Sequence, residues 1–270
     1  MEWTRHTAVA GRFYPAQPKA LETQLEDWFA SLGREERLRT AIIAPHAGYL
    51  YSGLTAAKVY AQSQIPDSVV LLCPNHTGEG PRLSIWNQGL WETPLGNVAV
   101  DEELASRMIA AVPDLQPDRA AHLYEHAIEV HLPCLRFLNS SVRIVPIVVG
   151  PINMTRALAI GMDLGNVLKR ERNRPLLVAS TDMSHYLPAT VAEPLDRLAL
   201  EKIEAFDPAG LYKTVSDNEI SMCGFIPTTI TMQAARNLGA TQCELIDYTN
   251  SGVASGDYDS VVGYASACIG

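Results

Sequence analysis

The chain has 270 residues, of which 47% are hydrophobic and 19% charged, and its formal net charge is −9. This is the composition of a globular protein with enough apolar material for a large core. No basic cluster offsets the negative charge, so nucleic acid and anionic membranes are poor partners, and no apolar run approaches the roughly 18 residues that span a bilayer.

The cysteines and the amino terminus indicate a compartment. Five cysteines without a CxxC pair, and an amino terminus that lacks the apolar stretch of a signal peptide, argue against secretion. We therefore expect a soluble protein of the reducing cytoplasm. The glycine-rich stretches GEGP (78–81) and SGVASGD (251–257) have neither a P-loop lysine nor G-x-G-x-x-G after a strand, so we expect turns there and no nucleotide cofactor.

Predicted strands and helices alternate along the chain. The first half contains a helix at 19–32, a strand at 40–44, a helix at 53–63, a strand at 68–73, a hairpin-like insert at 83–100 with TPLG at its turn, and helices at 101–111 and 119–138. Then follow a strand at 144–150, a helix at 155–170, a strand at 176–180, helices at 191–205 and 225–238, and strands at 244–248 and 260–268. Runs such as IVPIVVG and LLVAS are typical of strands buried on both faces. Together they predict one domain over residues 1–270, a three-layer α/β/α fold with a mixed, largely parallel central sheet.

Three histidines and a cysteine lie far apart in sequence, yet each follows a predicted strand or precedes a predicted helix. They are His46 in AIIAPHAGYLYSG, His76 in VVLLCPNHTGEG, His185 at the end of LLVASTDMSH, and Cys223 in SMCGFIP. In an open α/β sheet, the loops at the carboxyl ends of the strands meet in one crevice. The four residues therefore indicate a metal-binding or redox pocket, although each histidine alone would be interpreted as a hydrogen-bonded surface residue.

Three of these residues are the best candidates for metal ligands because of their side-chain chemistry. Neutral imidazole is the commonest ligand of zinc, copper, iron and nickel, so His46 and His76 are the first two candidates. Cys223 is the best third ligand because a helix amino terminus lowers the pKa of a thiol. The alternative is that Cys223 serves only as a small buried hydrophobic residue, an interpretation that fits Cys73 and Cys134 better. A His₂Cys set matches a catalytic zinc site, whereas two histidines and a carboxylate would match non-haem iron, so the metal stays open.

Further residues beside these ligands are expected to serve the pocket. His185 is the candidate general acid or base, and Asp182, three residues earlier, would orient it or bind the metal. The alternative is that Asp182 caps the following turn. Tyr49, Tyr51 and Tyr186 each neighbour a candidate histidine and are expected to line the pocket, with aromatic packing as the alternative.

The segment HLYEHAIEVHLP at 122–133 is dense in histidine and glutamate. It contains H-x-x-E-H, the inverzincin pattern, in which Glu125 would serve a zinc hydrolase. That interpretation leaves the histidines after the strands without a role. His126 and Glu129, one helical turn apart, would instead face the pocket together and support the metal ligands. A solvated helix face is the alternative.

Eight segments together resemble the MEMO family, the mediators of ErbB-driven cell motility and their bacterial and archaeal relatives. The resemblance covers essentially the whole chain, in order. The segments are AVAGRFYP (8–15), APHAGYLYSG (44–53), PNHTGEG (74–80), TPLGNVAVDEEL (93–104), EHAIEVHLP (125–133), STDMSHY (180–186), CGFIP (223–227) and SGDYDSVVGYAS (255–266).

The resemblance implies a fold similar to that of class III extradiol dioxygenases, in which two histidines and a glutamate hold ferrous iron and another histidine acts as acid and base. Carried over by position, His46 and His76 are the histidine ligands, and Cys223 stands where those enzymes have the glutamate. A thiolate shifts the metal preference toward copper and zinc. We therefore expect a divalent or redox-active metal ion, with iron, copper and zinc as the options.

The same resemblance places His185 in the acid–base position, with Asp182 and His126 beside it. The leading hypothesis is a metal-dependent redox or oxygenase enzyme that acts on a small molecule or a peptide. Binding without catalysis is also attributed to the family, so a module that binds a peptide or partner is the alternative, and a zinc hydrolase is a distant third. Bacterial relatives labelled AmmeMemoRadiSam system protein B further imply radical-SAM and AMMECR-type partner proteins.

Overall fold

The computed structural model describes residues 3–270. Its strands are β1 (Thr4–Arg5), β2 (Ala41–Ala44), β3 (Ser68–Pro74), β4 (Leu83–Ile85), β5 (Leu90–Trp91), β6 (Val98–Val100), β7 (Gln116–Pro117), β8 (Arg143–Val149), β9 (Leu176–Ser180), β10 (His185–Leu187), β11 (Cys243–Asn250) and β12 (Val261–Ile269). Its α-helices are α1 (Pro18–Leu32), α2 (Leu54–Ala61), α3 (Glu102–Ala111), α4 (Ala120–Leu123), α5 (His126–Glu129), α6 (Leu132–Leu138), α7 (Met154–Leu168), α8 (Ala189–Glu204), α9 (Pro208–Asp217), α10 (Phe225–Asn237) and α11 (Gly252–Ser255). A π-helix, Tyr49–Gly53, precedes α2. Within residues 3–270, no helix is both long and apolar enough to cross a membrane.

Parallel strands form the centre of the sheet, in the order β6, β8, β3, β9, β2. Apart from the first residue of β3 and of β8, every residue of β3, β8 and β9 is buried, as expected for apolar runs covered on both faces. Antiparallel strands flank this centre: β12 pairs with β2 and carries β10 and β11, and β4 pairs with β8. The mixed, largely parallel sheet is therefore confirmed.

The residues of the central strands face two apolar clusters in alternation, because successive side chains of a strand point to opposite faces. Val70 and Leu72 of β3 pack with α3 and with α7 to α10. Val69 and Leu71 pack with α1, α2 and α4 to α6. Each large apolar side chain buried in this way contributes roughly 1.5–3 kcal/mol to stability. The arrangement confirms the three-layer α/β/α fold.

The single helix expected at 119–138 is wrong, because this segment forms the three short helices α4, α5 and α6. Glu125 lies between α4 and α5 in an extended conformation, and its carboxylate caps α5 by accepting a hydrogen bond from the Ala127 amide. Pro133, in the first turn of α6, has no N–H with which to continue a helix from α5. The breaks allow neighbouring side chains of the segment to reach different parts of the molecule.

Other differences are smaller. The sequence prediction lacks β10 and α9, although Asp207 followed by Pro208 is a helix start signal, and the Asp207 carboxylate does cap α9. The insert at 83–100 contains the expected antiparallel hairpin, formed by β5 and β6. Its first strand, β4, pairs instead with β8 in the main sheet.

Candidate metal centre

Three candidate ligands meet at one edge of the sheet. β9 lies between β3 and β2, and the three strands are parallel, so the loops that follow them are neighbours. His46 follows β2, His76 follows β3, and Cys223 precedes α10, which packs beside these strands. One ligand atom from each of the three side chains lies within 4.8 Å of the others.

His46 is held by a hydrogen bond that fixes its tautomer. Its Nδ1 lies 2.7 Å from the hydroxyl of Ser180, and that hydroxyl donates its single proton to the Ala127 carbonyl. Nδ1 must therefore donate to Ser180, which leaves Nε2 of the neutral ring without a proton. Burial, and then the neighbouring His126, hold the pKa of His46 well below its usual value. The free Nε2 lies 3.3 Å from Cys223 Sγ, so both are available to one metal ion.

His76 is oriented in the same way by Glu125. The carboxylate accepts from His76 Nδ1 at 2.9 Å and from the His76 amide at 2.7 Å, which directs Nε2 away from Glu125. Burial would lower the pKa of His76, but the hydrogen bond and charge of Glu125 outweigh it, and the pKa is raised. Burial would likewise raise the pKa of Glu125, but its contacts with His76 outweigh burial and the pKa is lowered. The buried Glu125 therefore stays ionised and polarises His76, as carboxylates do behind metal-binding imidazoles.

Two more histidines surround the ligands. The His126 ring stacks on His76, with ring centroids 4.7 Å apart, and meets the edge of His46 at 5.4 Å. Burial lowers the pKa of His126 to about 4, so it is neutral near pH 7. His131 donates from Nε2 to the Ser180 hydroxyl at 2.9 Å and thus supports His46 through Ser180. The sequence alone indicates no role for His131 or Ser180, although Ser180 ends a predicted strand.

Cys223 is placed against the end of β9 by the residue that follows it. The Gly224 amide donates to the Thr181 hydroxyl at 3.0 Å, and a Cβ on Gly224 would collide with the Ser180 carbonyl and the Thr181 side chain. The Asp182 amide donates to Cys223 Sγ at 3.3 Å. The expectation that the helix amino terminus lowers the thiol pKa is wrong: burial, and then the charge of Asp182, raise it. A metal ion that bound Cys223 would therefore have to displace the thiol proton.

Asp182 and His185 lie beside this cluster with different partners from those expected. The Asp182 carboxylate accepts from the His46 amide at 2.8 Å, and burial raises its pKa to about 6. His185 Nδ1 instead donates to the Ser221 carbonyl at 2.9 Å. Asp182 therefore positions the His46 loop rather than His185 or a following turn. Because a carbonyl oxygen only accepts, neutral His185 has Nε2 free to take up a proton.

The two outer residues of H-x-x-E-H point to different places. His122 is fully buried beside the rings of Trp86 and Trp91. Its Nε2 donates to the Ser84 hydroxyl at 2.9 Å, because that hydroxyl donates its own proton to Asp118. Within residues 3–270, His122 belongs to none of the clusters that could hold a metal, whereas His126 forms a second such cluster with His76 and Glu125. The inverzincin interpretation is therefore wrong, because its two histidines do not share a site.

Glu129 does not support the metal ligands, so this expectation is wrong. Its fully buried carboxylate accepts from the Arg5 guanidinium at 2.6 Å, from the Ala8 and Val9 amides, and from the Tyr14 hydroxyl. These contacts hold the amino-terminal segment 5–14. That segment in turn packs against the site, because the Phe13 ring lies 4.9 Å from the ring of His126.

The three tyrosines have different surroundings. Tyr49 is buried, donates to the Val130 carbonyl at 2.9 Å and packs against Trp28, which is aromatic packing. Tyr51 and Tyr186 are exposed, and the Tyr186 ring lies 5.8 Å from that of His185. Tyr186 has a positive φ of 59°, which is uncommon for a bulky residue and frequent at functional sites.

Gly224→Ala is expected to lower both metal content and stability. The new methyl group would collide with β9 and move Cys223, at a cost of roughly 1–3 kcal/mol for overpacking. Gly161→Ala is the matched control, since Gly161 lies in α7 and its Cβ would approach the Ile230 carbonyl of α10 to 2.7 Å, away from the ligands. Metal analysis and thermal melts of both variants check this. Unchanged metal content in a folded Gly224→Ala protein would contradict it.

Metal uptake by the metal-free protein is expected to weaken as the pH falls. The raised pKa values of Cys223 and His76 mean that their protons compete with the metal at low pH, whereas His46 stays neutral. Each displaced proton changes the apparent affinity about tenfold per pH unit. Zinc titrations against a chelator at three pH values measure the slope, which should be shallower in Cys223→Ser. An affinity that does not change with pH would contradict the ligand set.

Comparisons with known proteins agree with this architecture. A family model described as Memo-like protein matches residues 5–268. A MEMO1 family protein of Aquifex aeolicus is 43% identical over 262 residues, 96% of this chain and 97% of its own, and one of Methanothermobacter thermautotrophicus is 40% identical over 273 residues, 97% and 98% of the two chains. Among solved structures, an uncharacterized protein from Escherichia coli K12 shares the fold, with a TM-score of 0.58 and 13% identity over 87% of this chain and 100% of that one. The chain therefore belongs to the family of Memo-like proteins.

Proposed function

We propose that this protein binds a redox-active metal ion, iron or copper, and uses it in oxidation chemistry on a small molecule or peptide. The observation that carries the proposal is the convergence of the His46 and His76 imidazoles and the Cys223 thiol. Nδ1 of each imidazole is occupied by a hydrogen bond, which leaves Nε2 for the metal. Two imidazoles and a thiolate suit copper, zinc and iron, and not the hard cations magnesium and calcium.

The metal ion and the residues around the ligands have separate roles in the proposed chemistry. A bound iron or copper ion would supply one-electron redox chemistry and a Lewis acid. Ser180 and Glu125 hold the two imidazoles in the tautomers that ligation requires. His185, with Nδ1 fixed on the Ser221 carbonyl, takes a proton from the bound substrate at Nε2 and returns it to the product. Phe13 packs on His126 and places an apolar ring at one side of the cluster.

Elemental analysis of protein purified without oxygen and with reduced thiols tests this proposal. Close to one iron or copper per chain is expected, with a large loss in Cys223→Ser. Cys243→Ser is the matched control, because Cys243 lies in β11, outside the ligand cluster. Wild-type protein that holds no metal even after reconstitution, or a Cys223→Ser variant that keeps it, would overturn the proposal. Protein that contains only zinc would support the metal site but contradict the redox chemistry.

A second candidate function is partner binding without catalysis. The π-helix that follows His46, and the residue after it, expose the apolar side chains of Leu50, Tyr51 and Leu54, and Tyr186 is also exposed near His185. Exposed apolar side chains in one neighbourhood favour a protein partner. Stoichiometric, metal-independent binding of a purified radical-SAM or AMMECR-type protein, lost when Leu50 and Tyr51 are replaced by serine, would support this function.

A further inference from the structure

A cavity of about 570 Å³ adjoins the candidate metal centre. Its walls come from the ends of β3 and β8 and from the start of α10, and Cys223 is one of its lining residues. The volume lies in the range of pockets that bind small organic molecules. Because β8 is next to β3 in the sheet, the cavity continues the crevice in which His76 and Cys223 lie.

The charge of the cavity is concentrated at one residue. Within residues 3–270, the lining contains one charged side chain, Arg82, and no carboxylate. The backbone of Arg82 is fixed, since its carbonyl accepts from the Gly150 amide at 2.7 Å at the end of β8. Arg82 also lines an adjoining cavity beside Asp114, but the Asp114 carboxylate pairs with Arg156. On a chain with a net charge of −9, the Arg82 guanidinium is therefore a fitting partner for an anionic ligand.

Much of the remaining lining is apolar. Val149, Ile152, Phe225 and Ile226 contribute aliphatic and aromatic surface. Tyr212 braces this wall, because its hydroxyl donates to the Ile152 carbonyl at 2.8 Å and its ring lies 5.1 Å from that of Phe225. The wall is therefore suited to an apolar ligand body rather than to a chain of polar groups.

We infer that this cavity binds a small organic monocarboxylate with an aromatic or aliphatic body. The carboxylate would pair with Arg82, and the body would lie along Ile152 and Phe225 toward Cys223. A carboxylate fits better than a phosphate, because one guanidinium balances one negative charge and the rest of the wall offers little to a second. The inference rests on the proposed function in one respect, namely that the bound molecule lies beside the metal held by Cys223.

Binding of 3-phenylpropionate to the metal-free full chain, measured by calorimetry, tests the site without any metal. We expect saturable binding that is about tenfold weaker in Arg82→Gln, and about tenfold weaker for the neutral 3-phenylpropanamide, as loss of one charge-assisted contact predicts. Arg174→Gln removes the same charge at the amino end of β9 and should bind like wild type. The inference would be overturned by a lack of saturable binding, by equal binding of the amide, or by an affinity that is unchanged in Arg82→Gln. Tighter binding of phenyl phosphate than of 3-phenylpropionate would overturn the choice of a carboxylate and indicate a phosphate ligand.

A second experiment separates this inference from the proposed function. With copper added, the proton signals of bound 3-phenylpropionate should broaden in wild type and not in Cys223→Ser. If 3-phenylpropionate binds in an Arg82-dependent way but the protein takes up no metal, the cavity assignment is supported and the proposed metal centre is contradicted. Copper uptake together with bound 3-phenylpropionate that stays sharp would overturn the placement of the cavity beside the metal.

Discussion

Replacing Glu129 with glutamine is expected to lower the free energy of unfolding by about 3–5 kcal/mol, the cost of breaking a buried ion pair by removing one partner. Both Glu129 and Arg5 are fully buried, and the carboxylate also accepts from the Ala8 and Val9 amides and the Tyr14 hydroxyl. Glutamine leaves the guanidinium uncompensated. Because segment 5–14 carries Phe13 to His126, loss of the ion pair should also loosen one wall of the site.

Urea denaturation followed by tryptophan fluorescence measures this loss. Glu92→Gln is the matched control, because the Glu92 carboxylate lies at the surface, 3.0 Å from His6 Nδ1, where charged contacts contribute about 0–1 kcal/mol. A Glu129→Gln protein within about 1 kcal/mol of wild type would contradict a structural role for the pair.

Replacing Glu125 with glutamine is expected to weaken metal binding about 10- to 100-fold, the usual effect of losing the carboxylate behind a ligating histidine. Glu125 accepts from both the ring and the amide of His76. Glutamine keeps one acceptor oxygen but removes the charge that polarises the imidazole. The change acts on the metal through His76, although Glu125 is not itself one of the three proposed ligands.

Chelator competition with zinc compares the two glutamate variants directly. Glu125→Gln should lose metal affinity with a modest loss of stability, and Glu129→Gln should lose stability with metal affinity nearly unchanged while folded. Equal metal affinity in Glu125→Gln and wild type would show that His76 is not a ligand, or that Glu125 does not tune it.

Much of the site follows from local sequence patterns. The apolar runs that end before His46 and His76 encode parallel strands buried on both faces, and the carboxyl ends of such strands share one edge. That is sufficient to bring the two histidines together. The place of Cys223 follows from α10 starting beside β9, an approach that Gly224 allows because it has no side chain.

The partners behind the ligands do not follow from such patterns. Glu125 and Glu129 are one helical turn apart in a periodic segment, yet one binds His76 and the other binds Arg5. The difference arises because Glu125 interrupts the helix and caps α5, which helical spacing does not predict. The support of His46 by His131 through Ser180 depends on side chains from two different elements, so it emerges only in the folded chain.

X-ray absorption at the zinc edge of the zinc-substituted protein tests the His₂Cys centre most directly. The structure predicts one sulfur at about 2.3 Å and two imidazole nitrogens at about 2.0–2.1 Å, with the sulfur lost in Cys223→Ser. A wild-type spectrum with nitrogen and oxygen neighbours alone, or a sulfur that persists in Cys223→Ser, would contradict the assignment of His46, His76 and Cys223 as the metal ligands.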